Sequence, residues 1–307
     1  MAEFSPIIHI GLQKTASTFL QKSIFGSMED FYTPWGHQSA KAIEYFVLQH
    51  SDRLDKKAIR DELKAPRGKV TAISQEDLIG YPIFGRYYAE STIRRISEII
   101  PEARIVLVIR EQRSIILSNY FQSVRQGRTL SISDMLNPKE FRDGFRPIIR
   151  LDHFEYDLTY SILRKFFRDD QLLILPYELL KFDKNLFLKK LGDFCGVDIK
   201  PDVGSMPVHK SRGVTAMRVE RILNRIAPNP THLPEEYHNY PIRVRSRNRI
   251  VNLVNRLSTH IDRKSNHLQY LQDKIERHLG KYYEESNMRM SEILQLDLKD
   301  LNYRVSE

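Results

Sequence analysis

The sequence predicts an α/β fold, with a central, mostly parallel sheet flanked by helices and a C-terminal helical extension. Three observations carry that prediction. Short, wholly apolar runs recur at Ile7–Ile10, Val70–Ser74, Ile105–Ile109 and Leu172–Leu175. Amphipathic helical patterns separate them, as in chains of βαβ units. Beyond about Pro207 no convincing strand pattern remains and helical spacing takes over.

The elements follow in order. Ile7–Ile10 is short and β-branched, and Thr15–Phe25 then places Phe19, Leu20 and Ile24 at helical spacing. Ile105–Ile109 reads Ile-Val-Leu-Val-Ile, apolar at every position as a strand covered on both faces must be. A helix from Ser114 to about Val124 follows it, and Phe187–Phe194 is another. In the extension, helices are predicted at Val214–Ile226, Arg249–His260 and His267–Glu285, with Pro228, Pro230, Pro234 and Pro241 as interruptions. Residues 1–208 thus form an α/β core, and residues 209–307 a helical extension packed on the same domain.

Composition narrows the class. The chain has 307 residues, 41% hydrophobic and 28% charged, which is a soluble globular balance. A single cysteine, Cys195, excludes an internal disulfide framework and a cysteine zinc cluster. No apolar stretch reaches the roughly 18 residues of a membrane span. Met-Ala-Glu-Phe-Ser-Pro lacks the basic start of a signal peptide, so a cytoplasmic protein is expected. The net charge is +9, and residues 209–281 alone hold 15 Lys+Arg against 6 Asp+Glu. A charge excess speaks to partners rather than to fold.

The most informative segment is His9-Ile-Gly-Leu-Gln-Lys-Thr-Ala-Ser-Thr18, running from a strand through a turn into a helix. Gly11 permits a tight turn, and first-turn amides with the helix dipole favour an anion. Lys14 adds a full charge, while Thr15, Ser17 and Thr18 add hydroxyls. The other reading is an ordinary strand-to-helix turn capped by Thr15 or Ser17. The segment is not a Walker A sequence, since it lacks the second Gly and the Gly-Lys-Ser/Thr ending.

This loop resembles the 5′-phosphosulfate loop of sulfotransferases that use 3′-phosphoadenosine 5′-phosphosulfate (PAPS), commonly Gly-x-x-Lys-Thr-Gly-Thr-Thr. The chain is most similar in look to bacterial carbohydrate and polysaccharide sulfotransferase-like proteins. It departs at Ala16, where the family usually has Gly, and at Ser17. A methyl at position 16 is tolerable where φ is negative. The resemblance implies a P-loop NTPase-like fold and a PAPS site formed by Gly11, Lys14, Thr15, Ala16, Ser17 and Thr18. It also implies that Arg110, ending the third strand, and Ser118 on the next helix grip the 3′-phosphate. A planar guanidinium suits a phosphate, and each charge-assisted bond contributes about 1.5–3 kcal/mol. Arg212, in His209-Lys-Ser-Arg-Gly213, falls where family members carry a loop closing over the nucleotide. Leu173–Leu180 and Tyr283–Asn287 resemble further family segments, with Tyr177 read as core packing and Glu178 as a helix N-terminal acid.

Sulfuryl transfer builds negative charge on the bridging oxygen, which assigns Lys14 to the leaving phosphate. The acceptor hydroxyl or amine needs a base, and Glu76 in Ile73-Ser-Gln-Glu-Asp77 stands at a strand end facing the expected crevice. Asp77 and His37 are the alternatives, and a dipole-stabilising role for Glu76 and Asp77 is the competing reading. Histidine and carboxylate spacings suit no metal, so metal-independent catalysis is expected.

Two other classes compete. A P-loop kinase or NTPase would share the loop but needs a Mg²⁺-holding strand-end Asp that the sequence does not supply. A polyanion or nucleic-acid binder would use the cluster Arg243-Val-Arg-Ser-Arg-Asn-Arg249, which lacks interleaved aromatics and any DNA- or RNA-binding signature. Nucleic acid is therefore not expected as a partner. The basic extension points instead to an anionic acceptor such as an acidic glycan, or to a solvated helix start.

Overall fold

A computed structural model describes residues 5–36, 38–137, 149–200, 212–226, 241–264 and 266–306. Five strands, β1 (Ile7–His9), β2 (Phe31–Tyr32), β3 (Val70–Ser74), β4 (Arg104–Ile109) and β5 (Leu172–Pro176), form one sheet in the order β2-β3-β1-β4-β5. Every pairing is parallel, with Ile8 beside Ile73 on one side and Ile105 on the other. The four predicted strands are all present. β2 was not expected, because two residues, Phe31 and Tyr32, are too few to show a period.

The sheet is parallel because its strands are apolar on both faces. Ile105–Ile109 is buried throughout, as is all of β1. The helices between strands are α1 (Ser17–Phe19), extended by a π-helical turn at Leu20–Ile24, then α2 (Ala40–Ile43), α3 (Lys56–Glu62) and α4 (Ala89–Ile99). After β4 come α5 (Gln112–Arg125), α6 (Ile132–Leu136) and α7 (Tyr156–Arg164), and after β5 come α8 (Tyr177–Phe182) and α9 (Lys184–Cys195). In α4, Ile93, Ile96 and Ile99 line one buried stripe. α9 starts where the Asp183 side chain accepts from Leu186 N, and ends at Gly196 with φ 71°. A core of Ile7, Phe19, Val106, Leu175, Phe187 and their neighbours joins the sheet to α1, α8 and α9.

The chain separates into two compact units, Met1–Gln112 with Arg150–Pro207 and Tyr283–Glu307, and Arg113–Ile149 with Val208–Tyr282. The first holds the sheet. The later helices are α10 (Val214–Ile226), α11 (Pro241–Lys264), α12 (His267–Leu279) and α13 (Glu284–Leu294). Pro241 opens α11 rather than interrupting a helix, since the first helical position needs no N–H. The helix expected over His267–Glu285 is two, divided at Gly280 with φ 50°. α13 lies in the first unit, where Arg289 pairs with Asp157 at 2.7 Å and Asn287 bonds Gln112 at 2.7 Å.

Within the second unit, α10 and α11 run antiparallel. Glu220, 1% exposed, holds Arg212 at 2.6 Å and Arg247 at 3.1 Å, and Arg247 also bonds Asn224. Asp262 accepts from Thr215 Oγ1 at 2.6 Å. These bonds supply the polar registration of the hairpin.

Candidate functional site

The site is built where β1 ends. Because β3 pairs on one side of β1 and β4 on the other, the turn after β1 sits at the switch point of the sheet, where ligands of open α/β folds bind. Ladder bonds carry the turn a little further along β4: Ile10 N donates to Val106 O at 3.0 Å and Leu12 N to Val108 O at 3.1 Å. Gly11 is required twice over. Its φ is +124°, and a Cβ there would stand 2.7 Å from the Glu76 carbonyl oxygen. That close approach brings the segment after β3 against the loop.

Lys14 and Ala16 both adopt left-handed backbone, at φ 67° and 68°. The condition of a negative φ at position 16 is therefore not met, and the family's Gly is the residue this geometry favours. Ala16→Gly is expected to stabilise the protein by about 1 kcal/mol, seen as a Tm rise of about 2–4 °C. A melt at or below the parent's would count against a left-handed Ala16.

The loop hydroxyls divide. Thr15 Oγ1 donates to Leu12 O at 2.5 Å, so this buried group ties the turn together. Ser17 Oγ stands 3.0 Å from the same carbonyl and also within reach of the Glu76 carboxyl. Half-buried Thr18 is the loop hydroxyl without a protein partner among the described residues. Phe19 N and Leu20 N both donate to Ala16 O, so helical bonding begins there. The amides before Phe19 lie outside that bonding, as the first amides of any helix do.

Glu76 is brought to Ser17, within the influence of the Lys14 charge. Burial pushes its carboxyl above the ordinary range, while Ser17 and Lys14 pull it down and Asp77 pushes it up. Asp77 is engaged otherwise: Gln13 Nε2 donates to its Oδ1 at 2.7 Å and to Gly80 O at 2.6 Å. Its carboxyl is also raised, chiefly by burial, against the pull of Gln13 and Arg86. His37 lies outside the described residues. His9 is fully buried, Nδ1 2.7 Å from Ser74 Oγ, and burial brings it down to about 4, so it is neutral at working pH. It links the ends of β1 and β3.

Arg110 leaves β4 and donates from Nη1 to Lys14 O at 2.8 Å. Its guanidinium lies over the Tyr177 ring at 4.9 Å, and Lys181 Nζ lies 4.6 Å from the same ring. Its Nε is buried without a partner among the described residues, a donor that suits a ligand oxygen. Tyr177 is thus a platform for two cations as well as a core residue. Glu178 accepts from Glu111 N at 3.2 Å and from Tyr303 Oη at 2.8 Å, bracing the end of β4. Ser118 lies half-buried on α5 in the second unit, as does Arg212 in front of α10. Arg212 is committed to Glu220 and, at 3.4 Å, to Asn252.

Gln13 is the residue the sequence reading missed. It lies inside the motif, but nothing in the spacing announces that its amide meets a carboxylate 64 residues away.

The all-parallel sheet with flanking helices defines an α/β protein, and its lysine-bearing turn lies at the switch point. The model of the Sulfotransferase family matches residues 6–201, and the chain belongs to that family. No curated protein matches the chain significantly. Among solved structures, a sulfotransferase from Alicyclobacillus acidocaldarius is 18% identical, with TM-score 0.49, over 73% of this chain and 94% of that one. The sulfotransferase domain from the curacin biosynthetic pathway is 12% identical, with TM-score 0.39, over 67% of this chain and 80% of that one.

Proposed function

We propose that the protein transfers a sulfuryl group from PAPS to a hydroxyl or amine of a carbohydrate or other small acceptor. The observation that carries this reading is the meeting of Glu76 with Ser17, within the influence of the Lys14 charge, at a turn that Gly11 lets the Glu76 carbonyl approach. In a family of sulfotransferases, a cation on the turn after β1 and a carboxyl on the segment after β3 that approaches it support this reading.

The donor supplies an activated sulfuryl group on a 5′-phosphate. Lys14 and the loop amides around Ala16 and Thr18 hold that phosphate and take up the charge left on its oxygen. Glu76, when ionised, accepts the proton of the acceptor hydroxyl. Arg110, with its unpartnered Nε, and Ser118 hold the 3′-phosphate. No step in this scheme needs a metal. An anionic glycan remains the acceptor class that the basic extension favours, although Arg247 is turned inward to Glu220 and cannot face it.

Thermal stabilisation tests the nucleotide site. At 100 times the dissociation constant, 3′-phosphoadenosine 5′-phosphate adds about 2.7 kcal/mol. At the same concentration AMP, lacking the 3′-phosphate, gives a clearly smaller shift. Equal shifts would remove Arg110 and Ser118 from the site.

A further inference from the structure

We infer that the outer face of the α10–α11 hairpin docks on an anionic lipid surface. This rests on the hairpin alone and is independent of the sulfuryl-transfer reading. On α11, Ile250, Leu253 and Leu257 are 47%, 57% and 70% exposed and recur at three- and four-residue spacing, one stripe of the helix. On α10, Ile222 and Ile226, four residues apart, are 55% and 77% exposed. Single exposed aliphatics need no explanation, but the three aligned along α11 form a stripe, and α10 adds two more on its own exposed side.

Among the described residues of the two helices, the exposed charges are of one sign. Arg225, Arg249 and Arg256 are exposed beside these stripes. Glu220 and Asp262 are the only acids in the two helices. Both are turned to protein partners, Glu220 to Arg212 and Arg247 and Asp262 to Thr215 and Ser258. With both acids so engaged, the outer faces present aliphatic and cationic groups. On α11 the apolar stripe runs beside Arg249, Asn252 and Arg256, which is the side-by-side arrangement of a helix lying in a membrane interface.

The charge decides the occupant. A second copy meeting this face about a two-fold axis would set the same arginines against each other. A nucleic-acid strand would attract the arginines but has no use for isoleucine and leucine, where stacking calls for aromatics. An anionic bilayer satisfies both, its headgroups drawing the arginines and its acyl boundary receiving the aliphatics. No helix among the described residues is long and apolar enough to cross a membrane, so the hairpin would lie on the surface.

Flotation of the full chain with vesicles tests this. Phosphatidylcholine vesicles with about 30% phosphatidylglycerol should bind it about tenfold more strongly than phosphatidylcholine alone. Leu253→Gln/Leu257→Gln should lower binding to the mixed vesicles about tenfold, with a thermal melt matching the parent's. Arg225→Gln/Arg256→Gln should remove most of the preference for the anionic lipid. Absent or equal flotation on both vesicles, or binding undiminished in Leu253→Gln/Leu257→Gln, would overturn the inference. So would a concentration-dependent dimer that the leucine variant abolishes, which would give the face to a second copy.

Discussion

Lys14→Ala is expected to cut sulfuryl transfer from PAPS about 10²- to 10³-fold, the effect of removing one preorganised charge from a developing anion, about 2.7–4 kcal/mol. The loss should fall on kcat, with the acceptor KM nearly unchanged, because the ammonium acts where charge appears in the transition state. The fold should survive. Lys14 and an Ala replacing it bear the same left-handed φ of 67°, so the exchange adds no backbone strain. Lys14→Arg is the informative partner, since it keeps the charge but spreads it over a planar fork, and partial recovery is expected. Transfer of labelled sulfate is the measurement. Full activity in Lys14→Ala would remove the lysine from the mechanism.

The loop that holds Lys14 was legible because the chain changes period there. The run Ile7–Ile10 ends at Gly11, and helical spacing starts within the next turn. Glu76 was legible for a related reason, being a carboxylate just past a strand of the same parallel sheet. The partners of these residues were not. Gln13 bonds Asp77, Arg110 bonds the Lys14 carbonyl, and Thr15 turns its hydroxyl back to Leu12. Each depends on backbone directions, such as the left-handed turns at positions 14 and 16, that residue identity does not announce.

The same limit governs the extension. Its helices were readable from spacing, and its charge from counting, but which arginine faces inward was not. Arg247 and Arg249 are two residues apart in one basic run. One is 3% exposed against Glu220 and the other lies on the outer face. Rotation about the helix axis, about 100° per residue, separates them. The run therefore divides between internal pairing and surface, and a count of its charges overstates what a ligand could meet.

Glu76→Gln is expected to lower kcat about 10²- to 10⁴-fold, the range spanned by loss of a general base. Its pH behaviour separates it from a merely structural carboxyl. Burial raises the Glu76 carboxyl above its ordinary 4.5, so wild-type activity should rise with pH through that raised value as the base ionises. The acid limb should disappear from the residual rate of the variant. Asp77→Asn, which removes a carboxylate already held by Gln13 and Arg86, should keep the limb. Stability moves the opposite way. A carboxyl whose folded pKa lies above its unfolded one binds its proton more tightly when folded, so its contribution is full below the unfolded value and is lost as pH rises through the folded value. Glutamine has no proton to lose. Glu76→Gln should thus melt higher than the wild type at neutral pH, with the advantage fading toward pH 4.5. A variant that is inactive and also less stable at neutral pH would mark Glu76 as a structural support of the Gly11 turn. One that is inactive and more stable would mark a carboxyl kept at a cost in stability, as a buried base beside Lys14 should be.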